Sequence, residues 1–487
     1  MAPYHLPPGQ THRASELSRR TVIKLAGATV ALSLVQPLAL AQPKRGKTVI
    51  VAGGGIGGLC AAYELMKRGH TVTVLEASGR CGGHVRSIHD PLPDGLYADL
   101  GAEQCTKPGY ERYREYAAEF GLELVPYRRR DGEARYLGDK LYTEEMLADA
   151  KVLKELGFNG REAAFLGQHE WHDLPLLFLE PYLSAFKDEY QPFGVGLDDL
   201  DKISVSDLLK REHASEAALR FAGGDDASAL YRLWMAAILK QRGVPTYPKQ
   251  LFRIKGGNQN MTEAFASRLG GRVRLGCPIT KIVQGDGEVR VHFQEFGEEK
   301  TLTGEYLVNA IPLPVLKRLS VEPDWPEAKR WVLDNISYNM QTRIVFVARH
   351  AFWKKDGLQP HFDLGHPHLY HVWEMADEVS GDRRILIGSA SPGTTEKQAL
   401  AAYRSRYPGK ATIEIEHVIA HQWFMDRWAP TCEREGFRVG QLAKFWPEII
   451  RPHGRIHFVG AYADNLNWGM EAATRSANRV AAAIDAA

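Results

Sequence analysis

Between residues 48 and 77 the apolar positions pass from a continuous run to helical spacing and back to a run. T-V-I-V-A at 48–52 is short, apolar and β-branched, which predicts a buried strand. Leu59, Ala62 and Leu65 then recur at helical spacing, and Arg68-Gly69 closes that helix. T-V-T-V-L at 71–75 predicts a second strand, which ends on Glu76. Further along, helical patterns cover 110–120, 227–239 and 327–333, and strand patterns cover 342–348 and 384–388. The chain ends on a strand from Arg455 to Val459, then a helix with Ala473, Ala477, Val480, Ala481 and Ile484 on one face. The segment 108–240 reads as mainly helical.

The strand–helix–strand unit carries its own chemistry. Gly53, Gly55 and Gly58 form G-x-G-x-x-G between the first strand and the helix. The first glycine permits the tight turn, the second lets backbone approach a pyrophosphate, and the third lets helix and sheet pack closely. The helix then starts at Ile56 and Gly57 with N–H groups free for phosphate oxygens. Glu76 stands where an acid binds ribose hydroxyls. A lone glycine motif is weak, but both strands and the acid accompany it here, so the unit is read as a dinucleotide site.

Three further segments narrow the cofactor. Glu76-Ala77-Ser78-Gly79-Arg80-Cys81-Gly82-Gly83-His84-Val85-Arg86 is a second glycine turn with basic residues, and Asp99-Leu100-Gly101-Ala102-Glu103 follows. Near the C-terminus, R-I-H-F-V-G-A-Y-A-D at 455–464 precedes Asn467-Trp468-Gly469-Met470-Glu471. With Ile254-Lys255-Gly256-Gly257 and the strand at 307–312, these segments resemble the flavin-containing amine oxidases over 46–487. The resemblance implies an α/β fold, a Rossmann-type FAD-binding domain interleaved with an α+β substrate-binding domain. It divides the chain into FAD-binding pieces at 46–105, 245–320 and 420–487 and substrate-binding pieces at 106–244 and 321–419. It implies FAD contacts at Ala77, Arg80, Gly83, His84, Val85 and Arg86, at Gly101, Ala102 and Glu103, and at Gly460, Ala461, Gly469 and Met470. His84 departs from the family pattern, which has arginine there.

Composition sets outer limits. The 487 residues are 44% hydrophobic and 25% charged, enough for ordinary cores, and a net charge of +2 argues against a nucleic-acid partner. Five cysteines are scattered without C-x-x-C spacing, so neither a disulfide framework nor a metal site is expected. Ser18-Arg19-Arg20-Thr21-Val22-Ile23-Lys24 is a twin-arginine pattern, and an apolar run and Ala39-Leu40-Ala41 follow it. Residues 1–41 therefore read as a Tat-type signal, with periplasmic export of a folded protein and no membrane segment in the mature form. A homo-oligomer is compatible with the sequence.

The resemblance also frames the reaction: a flavin takes hydride from the carbon bearing an amine, the imine hydrolyses, and oxygen regenerates the flavin with release of hydrogen peroxide. L-amino-acid oxidases of the snake-venom type place an arginine three residues after the glycine of the D/N-L-G turn, where it forks the substrate carboxylate. Here that position is Gln104. The family also has a lysine nine residues before an F-W pair; Phe352-Trp353 is the pair and Arg343 takes the lysine's place. Arg343 is thus expected to polarise a water near the flavin or to fork a carboxylate. The tyrosine cage of monoamine oxidases is absent, since Glu433 and Gly469 hold its two positions. Trp468 and, more weakly, Trp373 are the candidate site aromatics. Cys432 matches the position of a flavin-bonded cysteine without its neighbours, so the FAD is expected to be non-covalent. The expectation is an FAD-dependent L-amino-acid oxidase using oxygen, accepting aromatic or long side chains and lacking a dedicated base. A primary amine or polyamine oxidase and an FAD-dependent desaturase are the alternatives.

Overall fold

Val49, Ile50, Val51 and Ala52 are buried because β1, Thr48–Ala52, lies at the centre of a five-stranded sheet. β2, Thr71–Leu75, pairs parallel on one side and Tyr306–Asn309 pairs parallel on the other. Val273–Arg274 and Ile456–Phe458 complete the sheet at its edges, also in parallel. A parallel sheet is covered on both faces, which explains the continuous apolar runs. These coordinates are a computed structural model that describes residues 45–222, 226–431 and 433–487.

The helix α1, Ile56–Lys67, is buried from Ile56 to Leu65 between the sheet and α2, Gly469–Ala486. The glycines have the geometry the motif requires. Gly53 has φ +105, and a Cβ on Gly58 would stand 2.0 Å from the Gly53 carbonyl oxygen. Any side chain at 58 would push α1 off the turn that starts it. Ala473, Ala477, Val480, Ala481 and Ile484 bury one stripe of α2, as their spacing predicts.

A seven-stranded sheet stands beside this layer. Its order is Ile415–Gln422, then β3 (Thr342–Ala348), Arg384–Ala390, Leu369–Met375, Phe362–His366, Ala134–Leu137 and Lys140–Tyr142. All seven residues of β3 are buried. Arg343 pairs with Ser389 on one side and His421 on the other. Together with the parallel sheet this gives the α/β fold with an α+β second part. Residues 46–487 form one compact unit.

Two details go beyond the sequence reading. The segment 108–240, read as mainly helical, also holds strands: Ala134–Leu137 and Lys140–Tyr142 form a hairpin that joins the large sheet through Phe362 and Asp363. Strands this short carry too few alternating positions to show in sequence. The strand Ile415–Gln422 also runs through the expected division at 419/420, because its pairing with β3 holds it in the large sheet.

The expected signal segment, 1–41, and Cys432 lie outside the described residues. Among the described residues no helix is long and apolar enough to cross a membrane, and no cluster of metal-ligating side chains occurs. Cys60, Cys81, Cys105 and Cys277 are free thiols.

Candidate active site

The turn between β1 and α1 opens into a cleft with an empty volume of about 1310 Å3, its solvent-open mouth included. At its floor α1 begins without a side-chain cap and without an acid in its first turn. The first N–H groups of a helix have no intrahelical acceptor, so they are free for an anion. A Cβ built on Gly55 meets nothing within 4 Å, so the open space above the turn begins at the backbone itself. Glu76 is buried at the end of β2; its carboxylate accepts from the Gly54 N–H at 2.6 Å and from the Ser78 N–H at 2.8 Å. These are the donors and the acid that a pyrophosphate and a ribose require, so the residues fit an adenine dinucleotide.

Most residues expected to hold the cofactor do line this cleft. Gly53, Gly55, Ile56 and Gly57 form its phosphate end, followed by Glu76, Ala77 and Arg80. Gly83, His84, Val85 and Ala102 continue the wall, and Gly460, Ala461, Gly469 and Met470 close it from the C-terminal side. Four expected residues stand elsewhere. Gly58 is covered by the turn and acts through packing. Arg86 does not line the cleft; its carbonyl accepts from the Leu100 N–H at 2.8 Å. Gly101 and Glu103 face a second cavity. The D-L-G turn passes between two cavities, and only its Ala102 reaches both.

That second cavity, about 1170 Å3 with its open mouth included, meets the cleft at His84, Ala102, Thr431, Gly469 and Met470. Arg343 and Gln104 both line it. The Arg343 guanidinium is buried and donates to the Leu100 carbonyl at 3.3 Å, the Ser389 hydroxyl at 3.3 Å and the Gly101 carbonyl at 3.4 Å. Glu103 lies 3.8 Å from it. Gln104 accepts from Arg129 Nη1 at 3.3 Å, and the same nitrogen donates to Glu103.

Trp373 is not a wall residue. It is buried beneath the chamber, with the Arg129 guanidinium 3.8 Å above its ring centre and its indole N–H donated to Tyr127. Trp468 also stands one layer back. It stacks on Tyr110 at 5.7 Å and 26°, and its ring edge packs against Gly109. Tyr110 itself lines the chamber, as do Tyr370 and Trp423. Trp468 precedes α2 at φ -110 and ψ 69, which turns its ring toward Tyr110.

Sequence reasoning missed several wall residues. Arg129 and Arg130 enter from a loop; the only sign in the sequence is the run of three arginines at 128–130. Arg130 lies 3.7 Å over the Tyr247 ring and donates to the Pro248 carbonyl at 2.7 Å, while its buried Nε has no partner. Burial lowers its pKa from the usual value. Asn339, Gln341, Tyr370, His371 and Glu433 add further polar groups. Glu433 lines the chamber with an accessible side chain. Desolvation by the surrounding protein raises its pKa, against the opposing pull of Arg343. The expected apolar wall is therefore replaced by a polar one. His84, stacked on Trp423 at 3.9 Å and 29°, is held neutral: burial and the Arg343 charge push its pKa down to about 3.

Comparison with known proteins agrees with this geometry. Residues 56–485 match the model of the flavin-containing amine oxidoreductases. An L-amino-acid oxidase of Pseudechis australis is 26% identical, covering 89% of this chain and 85% of its own length. The putative L-amino-acid oxidase YobN of Bacillus subtilis is 24% identical, covering 91% of this chain and 95% of its own. A structure of putrescine oxidase bound to putrescine superposes with a TM-score of 0.71 at 21% identity, covering 91% of this chain and 99% of its own. Cyclohexylamine oxidase from Brevibacterium oxydans IH-35A gives 0.70 at 20% identity with the same coverage. At these identities the two structures speak for the fold alone.

Proposed function

The chain belongs to the flavin-containing amine oxidoreductase family and binds FAD, and from that premise we propose that it oxidatively deaminates L-amino acids to 2-oxo acids, ammonia and hydrogen peroxide. The observation that carries this reading is the cationic wall. Arg129, Arg130 and Arg343 converge on a chamber that opens onto the cleft at Gly469 and Met470. Glu103 is the acid paired to two of them. A planar guanidinium is the group that recognises a carboxylate by paired hydrogen bonds. The L-amino-acid oxidases among the relatives add support from sequence.

When bound, FAD supplies the two-electron acceptor for the hydride leaving the carbon that bears the amine. The chain's own residues bind, orient and desolvate. Arg129 is fixed by Glu103, Gln104 and the Trp373 face, so it presents its guanidinium with little freedom left to lose. Arg343 is held by the two carbonyls of the D-L-G turn, at the level where the chamber meets the cleft. The start of α2 points its partial positive charge at that junction. The polar wall suits a polar or charged substrate side chain.

A primary amine or polyamine is the second reading. Glu103 and Glu433 on the same wall favour it, and the fold is shared with putrescine and cyclohexylamine oxidases. A peroxide-coupled assay on L-amino acids, D-amino acids and amines separates the readings: turnover confined to the L-amino acids is expected, and turnover confined to amines would replace the first reading by the second. We further propose that the FAD is non-covalent, with acid precipitation leaving the yellow colour in the supernatant. The twin-arginine segment supports export of the folded, FAD-loaded protein.

A further inference from the structure

We propose that the Glu433 carboxylate receives the substrate's reacting amine and takes a proton from its ammonium form. The sequence shows no dedicated base; the structure brings one to the junction of the two cavities. A Cβ built on Gly469, a residue of both cavities, would stand 3.8 Å from Glu433 Oε1 and 3.8 Å from the Tyr110 hydroxyl. The small residue thus leaves open a space flanked by a carboxylate and a phenol. Among the described residues the Glu433 carboxylate makes no hydrogen bond and no ion pair, and its accessible side chain lines the chamber. It is free to receive a cation that enters there. For an amine or amino-acid substrate that cation is the ammonium group.

The charged groups facing Glu433 come from three elements. Arg343 reaches it from β3, Arg129 from the loop before Ala134–Leu137, and Glu103 from the turn after Leu100. Desolvation, and then Glu103, raise the Glu433 pKa from the usual carboxylate value, while Arg343 and Arg129 pull it down. His84 is neutral at the same junction and does not compete for the proton. In the proposed step one N–H bond of the ammonium breaks and an O–H bond forms on Glu433. The electron pair so freed on nitrogen becomes the second bond of the imine as hydride leaves the adjacent carbon. FAD is reduced, the amine is oxidised, and Glu433 returns its proton to solvent when the product departs.

The inference rests on the family's amine chemistry and holds whether or not the substrate carries a carboxylate. Its test uses the holoenzyme and whichever amine-bearing substrate turns over best, so failure of the amino-acid reading leaves it intact. In the wild type, kcat/KM should rise with unit slope up to the Glu433 pKa and then stay level until the substrate's ammonium titrates. In Glu433→Gln it should be at least ~100-fold lower at neutral pH, and the level region should be lost: the rise continues to the ammonium pKa, because only the free amine is then productive. Glu433→Asp should restore the level region at reduced efficiency. A Gln variant with the wild-type profile and an efficiency within about threefold overturns the proposal. A second measurement needs no variant. The analogue of that substrate with every hydrogen on the reacting carbon replaced by methyl has no hydride to lose, and its binding is followed by calorimetry in buffers of different ionisation enthalpy. Binding to the wild type in the level region should exchange no proton with the buffer; release of one proton per site would also overturn the proposal.

Discussion

Arg129 donates to the side-chain oxygen of Gln104 across 3.3 Å. Gln104 holds the position where the L-amino-acid oxidase pattern has a carboxylate-binding arginine. The amide cannot supply the charge, but it steers a guanidinium that can. Glu103, the next residue back, accepts from the same Arg129 nitrogen.

Replacing Arg129 with Ala should therefore raise KM for the best L-amino acid by roughly 10–100-fold, the loss of one charge-assisted contact of about 1.5–3 kcal/mol. FAD content should not change, since Arg129 does not line the cofactor cleft. Steady-state kinetics with the flavin spectrum as control checks this. An unchanged KM would take Arg129 off the substrate's path.

Arg343→Ala should lower kcat/KM by about two orders of magnitude or more, because it empties a buried site and leaves Glu103 with one cation fewer. Arg343→Lys separates two roles. Recovery with Lys points to a charge that polarises water, and no recovery points to a planar fork on a carboxylate. Wild-type efficiency in the Ala variant would remove Arg343 from the mechanism.

Glu76 ties the Gly54 and Ser78 N–H groups while facing the cleft. Glu76→Ala should weaken FAD retention by about 1–3 kcal/mol, or some 5- to 150-fold in Kd. Fluorescence of released flavin on dilution measures it. Equal retention would mean that the cofactor makes no use of this acid.

His84 gives a pH prediction. Its folded pKa is pushed down to about 3 from the ordinary imidazole value of about 6.5, so the unfolded chain binds a proton that the folded chain refuses. Stability should fall as pH drops below 6.5, with at most about 2 kcal/mol from this residue by pH 5. Thermal melts of the holoprotein should drop more steeply between pH 7 and 5 in the wild type than in His84→Gln. Parallel curves would contradict a His84 held neutral in the folded protein.

What the sequence revealed and what it did not have a common physical origin. The unit from Gly53 to Glu76 was legible because its turn, helix and strands are contiguous, so each residue's role depends on near neighbours. Arg343 was found by its spacing from Phe352-Trp353. β3 is buried on both faces, so strand alternation alone did not say which way Arg343 points. Arg129 and Arg130 were not legible as wall residues. They reach the chamber because the hairpin after them docks on Phe362–His366, a pairing across more than 200 positions. Trp468, expected to line the site, does not: Gly469 occupies the junction, and the tryptophan ring turns back onto Tyr110. Glu433 was read only as a missing aromatic, since a carboxylate's use depends on what encloses it.

The most direct measurement pairs an L-amino acid with the amine that is its decarboxylated twin. Oxygen uptake is followed for both with the same enzyme preparation. If Arg129, Arg130 and Arg343 anchor a carboxylate, the amino acid should be favoured in kcat/KM by about 100-fold or more, the worth of a lost charge-assisted contact and of arginines left unpaired. Equal efficiency with the two substrates would mean that the carboxylate has no anchor in this chamber, and the protein would then be an amine oxidase.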